Sequence, residues 1–363
     1  MERLAVVGTG LIGASIGLAA ARGGTRVAGW DPDPDALAAA VARGAVSDPA
    51  GDLASAVAGA ELVVVAAPIG VLPAQVAAVL AEAGDATVTD VGSTKSSVVG
   101  AAAGSPRFVG GHPIAGSEAR GAEHANAELF QGATWFLTPT AQTDAHRHRL
   151  VHGFVGDLGA TPVAIDADAH DRLLALTSHV PHVLANVVAN QLGAARIEGH
   201  DPLLNAGGAL RDMTRIAGAN PRIWVDILLD NAEAVGAALA EHRRRVEQAE
   251  AALAAGDAGF LARWIGEAAA NRRRMLDRAY ADAGALHRLR VHVPDRPGVL
   301  AGITQALGAA RINIEDFEMH HVSPEQGGTL TVLVSGEDEA RRAVDLLETQ
   351  GYSVVVTAVL DED

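Results

Sequence analysis

The sequence predicts three structural regions in series: an α/β region on a largely parallel sheet, an all-helical region, and a smaller βαββαβ module. Three observations predict this. Short β-branched runs alternate with Ala-rich helical stretches up to about residue 166, strand signals almost vanish from 167 to 286, and they return over 287–363. A chain of 363 residues is long enough for two or three domains. Its 49% hydrophobic and 20% charged residues are a globular composition that excludes intrinsic disorder.

In the first region, 1–166, strands are predicted at 4–7, 26–30, 62–66, 87–91, 108–110, 134–137 and 162–165. The Ala-rich stretches between them read as helices, which makes a run of βαβ units. In the second region, 167–286, Leu173, Leu174, Leu176 and Val180 recur at helical spacing. A long helix is predicted over 221–255, with Pro221 in its first turn and Gly256 past its end. The third region, 287–363, reads as a strand at 289–293, a helix up to 310, strands at 312–319 and 329–334, a helix at 337–350 and a strand at 353–359. That order is a ferredoxin-like split βαβ plan. Gly327-Gly328 suits a hairpin between the middle strands, and Asp361-Glu362-Asp363 reads as a frayed tail.

Composition excludes several functions. A net charge of −16 and only 3% aromatic residues suit neither nucleic acid nor an anionic membrane, which call for Lys/Arg and stacking platforms. With no cysteine there can be no disulfide, zinc–thiolate site or thiol nucleophile. The most apolar stretch, 62–81, is interrupted by Pro68, Gly70, Pro73 and Gln75 and reads as a strand then a helix rather than a membrane span. Met1-Glu2-Arg3 runs straight into a strand without a signal-peptide pattern, so a cytoplasmic protein is expected. The acidity is uneven: −7 over 1–166, −2 over 167–286 and −7 over 287–363. The near-neutral helical region is thus compatible with cationic contacts to a small anionic ligand. Of the 28 basic residues only Lys95 is a lysine, a bias that codon usage alone explains.

Gly8-Thr9-Gly10-Leu11-Ile12-Gly13 follows the first strand and opens a helix, the context a dinucleotide-binding, Rossmann-type loop requires. Gly8 permits the tight turn, Gly10 lets a pyrophosphate approach the backbone, and Gly13 allows close helix–strand packing. The N–H groups at Leu11 and Ile12 open the helix end that binds the phosphates. Eighteen residues past Gly13, Asp31 ends the second strand, where a carboxylate binds the ribose 2′-hydroxyl and selects NAD over NADP. Asp31 could instead only start the Asp31-Pro32-Asp33-Pro34 turn.

Two polar segments, 90–97 (DVGSTKSS) and 110–118 (GGHPIAGSE), each follow a predicted strand and belong near the carboxyl edge of the sheet. In the helical region His179 and His182 lie three apart, followed by Arg211, Arg215 and Trp224. The segments DVGSTKSS, GGHPIAGSEARG, HDRLLALTSHVPH and RDMTRIAGANPRIW, behind GTGLIGASIG, resemble the prephenate/arogenate dehydrogenase family of tyrosine biosynthesis over roughly 1–285. The resemblance implies a Rossmann domain, a helical domain that forms a homodimer, and oxidative decarboxylation of prephenate by NAD. It also implies roles. His112 is the catalytic histidine on the substrate hydroxyl and Ser93 the serine that orients that contact. Arg215 binds a substrate carboxylate, and His179, His182, Ser117, Glu118 and Trp224 line or gate the pocket. Lys95 receives no role.

Duller readings stand beside these. His112 could brace the turn before Pro113, Trp224 could be ordinary core, and Arg211 and Arg215 could flank Asp212 as ion pairs. His112, His170, His179 and His182 could suggest a metal site, but no cysteine or obvious carboxylate completes a ligand set, so none is expected.

Residues 287–363, with VHVPDRPGVLAGITQALGAARINIEDFEMHH, resemble an ACT domain. That resemblance implies an amino-acid effector, tyrosine, near Asp295, Pro297, Gly298 and Asn313, usually between two such domains. A purely structural role is the alternative. Arogenate is the alternative substrate. A β-hydroxy-acid dehydrogenase is disfavoured because no lysine follows Lys95, a serine-pathway dehydrogenase because of the helical middle, and a non-catalytic NAD sensor because His112, Ser93 and Arg215 occur together.

Overall fold

A computed structural model describes residues 1–115, 119–279, 285–323 and 327–359. The Ser117, Glu118 and 361–363 readings lie outside the described residues. The chain forms two compact units, Met1–Arg244 and Arg245–Asp363. Among the described residues no helix is long and apolar enough to cross a membrane.

The first unit is built on an eight-stranded sheet: β1 (Arg3–Val7), β2 (Arg26–Trp30), β3 (Asp48–Pro49), β4 (Leu62–Val65), β5 (Thr87–Asp90), β6 (Phe108–Pro113), β7 (Thr134–Thr138) and β8 (Thr161–Ala164). Their spatial order is β3-β2-β1-β4-β5-β6-β7-β8. All neighbours are parallel except β6 and β7, so the last two strands run against the rest. Order reverses between β1 and β4, the crevice where open α/β sheets bind ligands. Helices α1 (Leu11–Arg22), α2 (Pro34–Ala42), α3 (Leu53–Val57), α4 (Leu72–Glu82), α5 (Ser96–Ala101) and α6 (Ala145–Asp157) connect the strands.

The strand alternation sorts the core into two faces. Ala5, Val7, Val63 and Val65 pack with Leu72, Val76 and Val79 of α4, whereas Leu4, Val6, Leu62 and Val64 pack with Ile16 of α1 and Phe154 of α6. Two sequence expectations change here. The short β3 was not foreseen, because two residues carry no periodicity. β6 runs to Pro113 rather than 110, since β7 pairs with it through Phe136↔His112.

The helical part contains α7 (Ala167–Leu174), a π-helical turn over Ala175–His179, α8 (Val180–Ala194), α9 (Gly208–Thr214), α10 (Pro221–Asp230) and α11 (Ala232–Ala255). The single helix expected over 221–255 is broken at Asn231, which sits at φ −103° and ends α10. The π turn precedes Pro181, which has no N–H to donate to the preceding turn.

In the second unit α12 (Ala258–Ala279) is followed by β9 (Leu286–Val293), α13 (Val299–Ala309), β10 (Asp316–Ser323), β11 (Gly327–Ser335), α14 (Glu337–Thr349) and β12 (Ser353–Ala358). The sheet order is β10-β11-β9-β12, with every pair antiparallel, which is the expected βαββαβ plan. Leu289, Val291 and Val293 meet Ile303 and Leu307 of α13 and Leu347 of α14 in its core. Gly327 and Gly328 open β11 rather than forming the turn, and 312–315 precede β10 as a loop.

Candidate active site

Gly8, at φ +96°, turns the chain out of β1, and a Cβ there would collide with the Ala66 carbonyl. A Cβ on Gly13 would collide with the Gly8 carbonyl, so α1 packs against the loop only with glycine present. Gly10 is the opposite case: its Cβ position has nothing within 4 Å, an open space against the helix end. No side chain caps α1, which leaves its first N–H groups for an incoming anion. Asp31 Oδ2 accepts from the Thr9 N–H at 2.6 Å and its hydroxyl at 3.2 Å, while Oδ1 accepts from the Asp33 N–H at 2.9 Å. Oδ1 thus keeps a lone pair for a ribose hydroxyl. These residues fit a dinucleotide.

His112 is 8% exposed at the carboxyl end of β6. Its Nδ1 lies 2.9 Å from Nε2 of His170, whose Nδ1 lies 2.8 Å from Asp171 Oδ1. Asp171 also accepts the backbone N–H groups of Lys95 and Ser96, each at 2.8 Å. Lys95 is fully buried, ion-paired with buried Asp90, and donates to the Gly111 carbonyl at 2.7 Å. Asp90 in turn accepts the Gly111 N–H at 3.0 Å, so both backbone polar groups of Gly111, the residue before His112, are clamped.

Burial holds the His112 pKa well below 6.5, with His170, Lys95 and His179 pushing the same way against Asp171. Burial likewise lowers Lys95 from 10.5, against the pull of Asp90. Burial raises the Asp171 pKa, but hydrogen bonds from His170, Ser96 and Lys95 outweigh it and hold the carboxyl below 3.8.

His179 is buried at the end of the π turn, and burial pushes its pKa down to about 4. Its Nδ1 lies 3.1 Å from Asn231 Nδ2, which also donates to the Asp171 carbonyl at 2.8 Å. Trp224 stacks on His182 with centroids 3.5 Å apart and meets His179 edge-on at 6.0 Å. It also packs against the sheet core, in keeping with the core reading. Asp230, at the end of α10, accepts from Thr94 at 2.5 Å and Ser97 at 2.8 Å, tying that helix to the 90–97 loop.

The structure therefore brings His112, His179, His182 and Trp224 into one network. Ser93 is half-buried in the same loop, but the partner of His112 Nδ1 is His170, not Ser93. Arg215 is exposed after α9, and neither it nor Arg211 pairs with Asp212 among the described residues, which removes the ion-pair reading. His170 is not poised as a metal ligand, because its two ring nitrogens face His112 and Asp171. In the second unit, Asp295, Pro297 and Gly298 precede α13 and Asn313 follows it, where it donates to Glu315 at 2.8 Å. Eleven helical residues, about 16 Å, separate the two groups, so they do not converge within one chain.

Comparison with known proteins places the chain. Family models match in series: the prephenate dehydrogenase nucleotide-binding domain over 16–164, the prephenate dehydrogenase dimerization domain over 166–267, and an ACT domain over 287–351. A prephenate dehydrogenase of Bacillus subtilis is 32% identical over 360 residues, 96% of each chain. The chain belongs to the prephenate dehydrogenase family. Among solved structures, the prephenate dehydrogenase of Aquifex aeolicus in complex with hydroxyphenyl propionate and NAD+ has a TM-score of 0.71 at 28% identity, covering 76% of this chain and 98% of that one. Arogenate dehydrogenase of Synechocystis has a TM-score of 0.69 at 26% identity, covering 76% and 100%. Membership makes the chain an NAD-dependent dehydrogenase whose family reaction yields hydroxyphenylpyruvate or tyrosine, with a C-terminal ACT domain.

Sequence reasoning missed Asp171, Asp90 and Asn231, and gave Lys95 no role. The available signals were the His170-Asp171 pair within HDRLL and the Asp230-Asn231 pair between two helical runs.

Proposed function

We propose that the chain oxidises prephenate with NAD, giving 4-hydroxyphenylpyruvate, CO2 and NADH. The observation that carries this reading is His112: a buried imidazole, kept neutral by its surroundings, at the same carboxyl edge as the glycine loop. Prephenate is a cyclohexadienol with a ring carboxylate and a pyruvyl side chain, so its enzyme must polarise one hydroxyl and hold two anions. His112 is assigned the hydroxyl proton, and Ser93 a polar contact from the 90–97 loop. Arg215, without an ion-pair partner among the described residues, offers its planar fork to a carboxylate. His179, His182 and Trp224, with Ser117 and Glu118, are assigned to the pocket. Gly8, Gly10, Leu11, Ile12, Gly13 and Asp31 hold the dinucleotide, which supplies the hydride acceptor when bound. Aromatisation drives the loss of CO2, and positioning supplies much of the acceleration.

Prephenate is preferred over arogenate because the Bacillus subtilis relative matched along almost the whole chain carries that name. Domains are assigned at 1–166, 167–286 and 287–363, with a cytoplasmic homodimer formed through the helical domain. Tyrosine is assigned to the ACT domain, where two chains would have to combine Asp295, Pro297 and Gly298 of one with Asn313 of the other. Incubation with prephenate and NAD should give NADH, CO2 and 4-hydroxyphenylpyruvate in equal amounts, and NADH without CO2 would exclude the reading. Removing 287–363 should abolish tyrosine inhibition, and undiminished inhibition would exclude the effector site.

A further inference from the structure

We propose that His170 and Asp171 are positioning residues that fix the tautomer of His112, so that its Nε2 carries the lone pair offered to the substrate hydroxyl. The catalytic role of His112 is taken from the proposed function, but the tautomer itself is a property of the free protein.

The direction of the chain follows from what each atom can do. The Asp171 carboxylate accepts two backbone N–H groups and can only accept, so the hydrogen in its 2.8 Å contact belongs to His170 Nδ1. A neutral His170 then has its lone pair on Nε2. That atom faces His112 Nδ1 at 2.9 Å, so His112 must donate there, and its own Nε2 is left unprotonated. The reverse order would need a cationic His170. That ring is 0% exposed and packs edge-on against Phe136, so the reverse order would bury a cation.

The chain is held from three directions. The 95–96 backbone grips the Asp171 carboxylate, Asn231 grips the Asp171 carbonyl, and the Asp90–Lys95 clamp fixes the peptide before His112. The same Asn231 amide nitrogen must donate to a carbonyl, so it also donates to His179 Nδ1, which places the His179 hydrogen on Nε2. The two pocket imidazoles are thereby given opposite polarity, His112 as acceptor and His179 as donor.

In the reaction the hydroxyl O–H bond breaks and an Nε2–H bond forms on His112, while the carbinol carbon is oxidised by loss of a hydride that the dinucleotide assigned to the glycine loop would accept. The C–CO2 pair then enters the ring, and the phenolic oxygen takes the proton back from Nε2. No net proton is released. The imidazolium formed in between is stabilised by the Nδ1–H contact to His170, with Asp171 remaining a carboxylate.

The test begins with 15N-labelled, unliganded wild-type protein near pH 7.5. It should show a protonated Nδ1 and a bare Nε2 on one histidine, with a through-hydrogen-bond 15N–15N coupling to a second histidine. A coupled ring bearing its hydrogen on Nε2, or a doubly protonated one, would overturn the inference without touching the proposed substrate. Kinetically, His170→Leu should lower kcat by about 10²–10³-fold with KM within about threefold. His170→Gln, whose oxygen can still accept from Nδ1, should recover at least about tenfold of that loss. Equal loss in both variants, or an effect confined to KM, would also overturn it. Turnover of arogenate instead of prephenate would refute the proposed substrate alone.

Discussion

Replacing Lys95 by Met removes an ammonium whose side chain and Asp90 partner are both 0% exposed. The Asp90 carboxylate would be left with only the N–H groups of Gly92 at 2.8 Å and Gly111 at 3.0 Å. Breaking a buried pair from one side leaves an uncompensated charge and costs about 3–5 kcal/mol. For a unit of this size that lowers Tm by about 6–20 °C. Urea unfolding of wild type, Lys95→Met, Asp90→Asn and the double variant gives the coupling directly. Asn keeps an acceptor for Gly111 and carries no charge, so the double variant should regain at least about 1.5 kcal/mol over the sum of the singles. A Lys95→Met cost below about 1 kcal/mol, or strict additivity, would refute the claim that a buried ion pair holds the peptide before His112. Because that clamp ends at the Gly111 carbonyl, the folded variant should also lose kcat.

Three further outcomes follow from the site. Gly10→Ala should leave the unfolding midpoint unchanged, since its Cβ meets nothing within 4 Å, yet weaken NAD binding at least about tenfold by calorimetry, because the pyrophosphate needs that space. Arg215→Ala should raise KM for prephenate by about tenfold or more with kcat little changed, and a fall confined to kcat would reverse the assigned role. His112 and His179 are both harder to protonate in the folded chain than at 6.5, His179 down to about 4, so the unfolded chain binds more protons in that window. Their stabilisation is complete above pH 6.5 and is lost as pH falls toward about 4. Urea midpoints should be level from pH 8 to 7 and drop below 6.5, and kcat/KM should keep its acid limb below 6.5. A midpoint rising between pH 6.5 and 5 would contradict the assignment.

Features set by short stretches of chain were legible in the sequence. The Gly8–Gly13 loop, the strand–helix alternation and the βαββαβ order are local patterns, and each is present. His112 was legible through resemblance and its polar company. Its partners were not, because His170 is 58 positions away and its role depends on how α7 docks on the 95–96 backbone. Isolated imidazoles in a sequence suggest metal as readily as a hydrogen-bonded chain, and only the 2.9 Å nitrogen–nitrogen contact separates the two. Asn231 was hidden inside an apparently continuous helix, since one polar residue hardly alters a 3.6-residue pattern. Lys95 stood out only by rarity; the buried Asp90 carboxylate it pairs with shows why a cation is there. Strand β6 was cut short because Gly110-Gly111-His112-Pro113 has poor strand propensity, and it is extended only by pairing with β7.

The central claim is that this site oxidises prephenate and does so with NAD. Initial rates of NADH or NADPH formation with prephenate and with arogenate, each with NAD and with NADP, test it in one plate. The account predicts the highest kcat/KM for prephenate with NAD, by at least about tenfold over NADP, since the Asp31 carboxylate repels a 2′-phosphate. Absence of turnover on either ring substrate, or a preference for NADP, would contradict it.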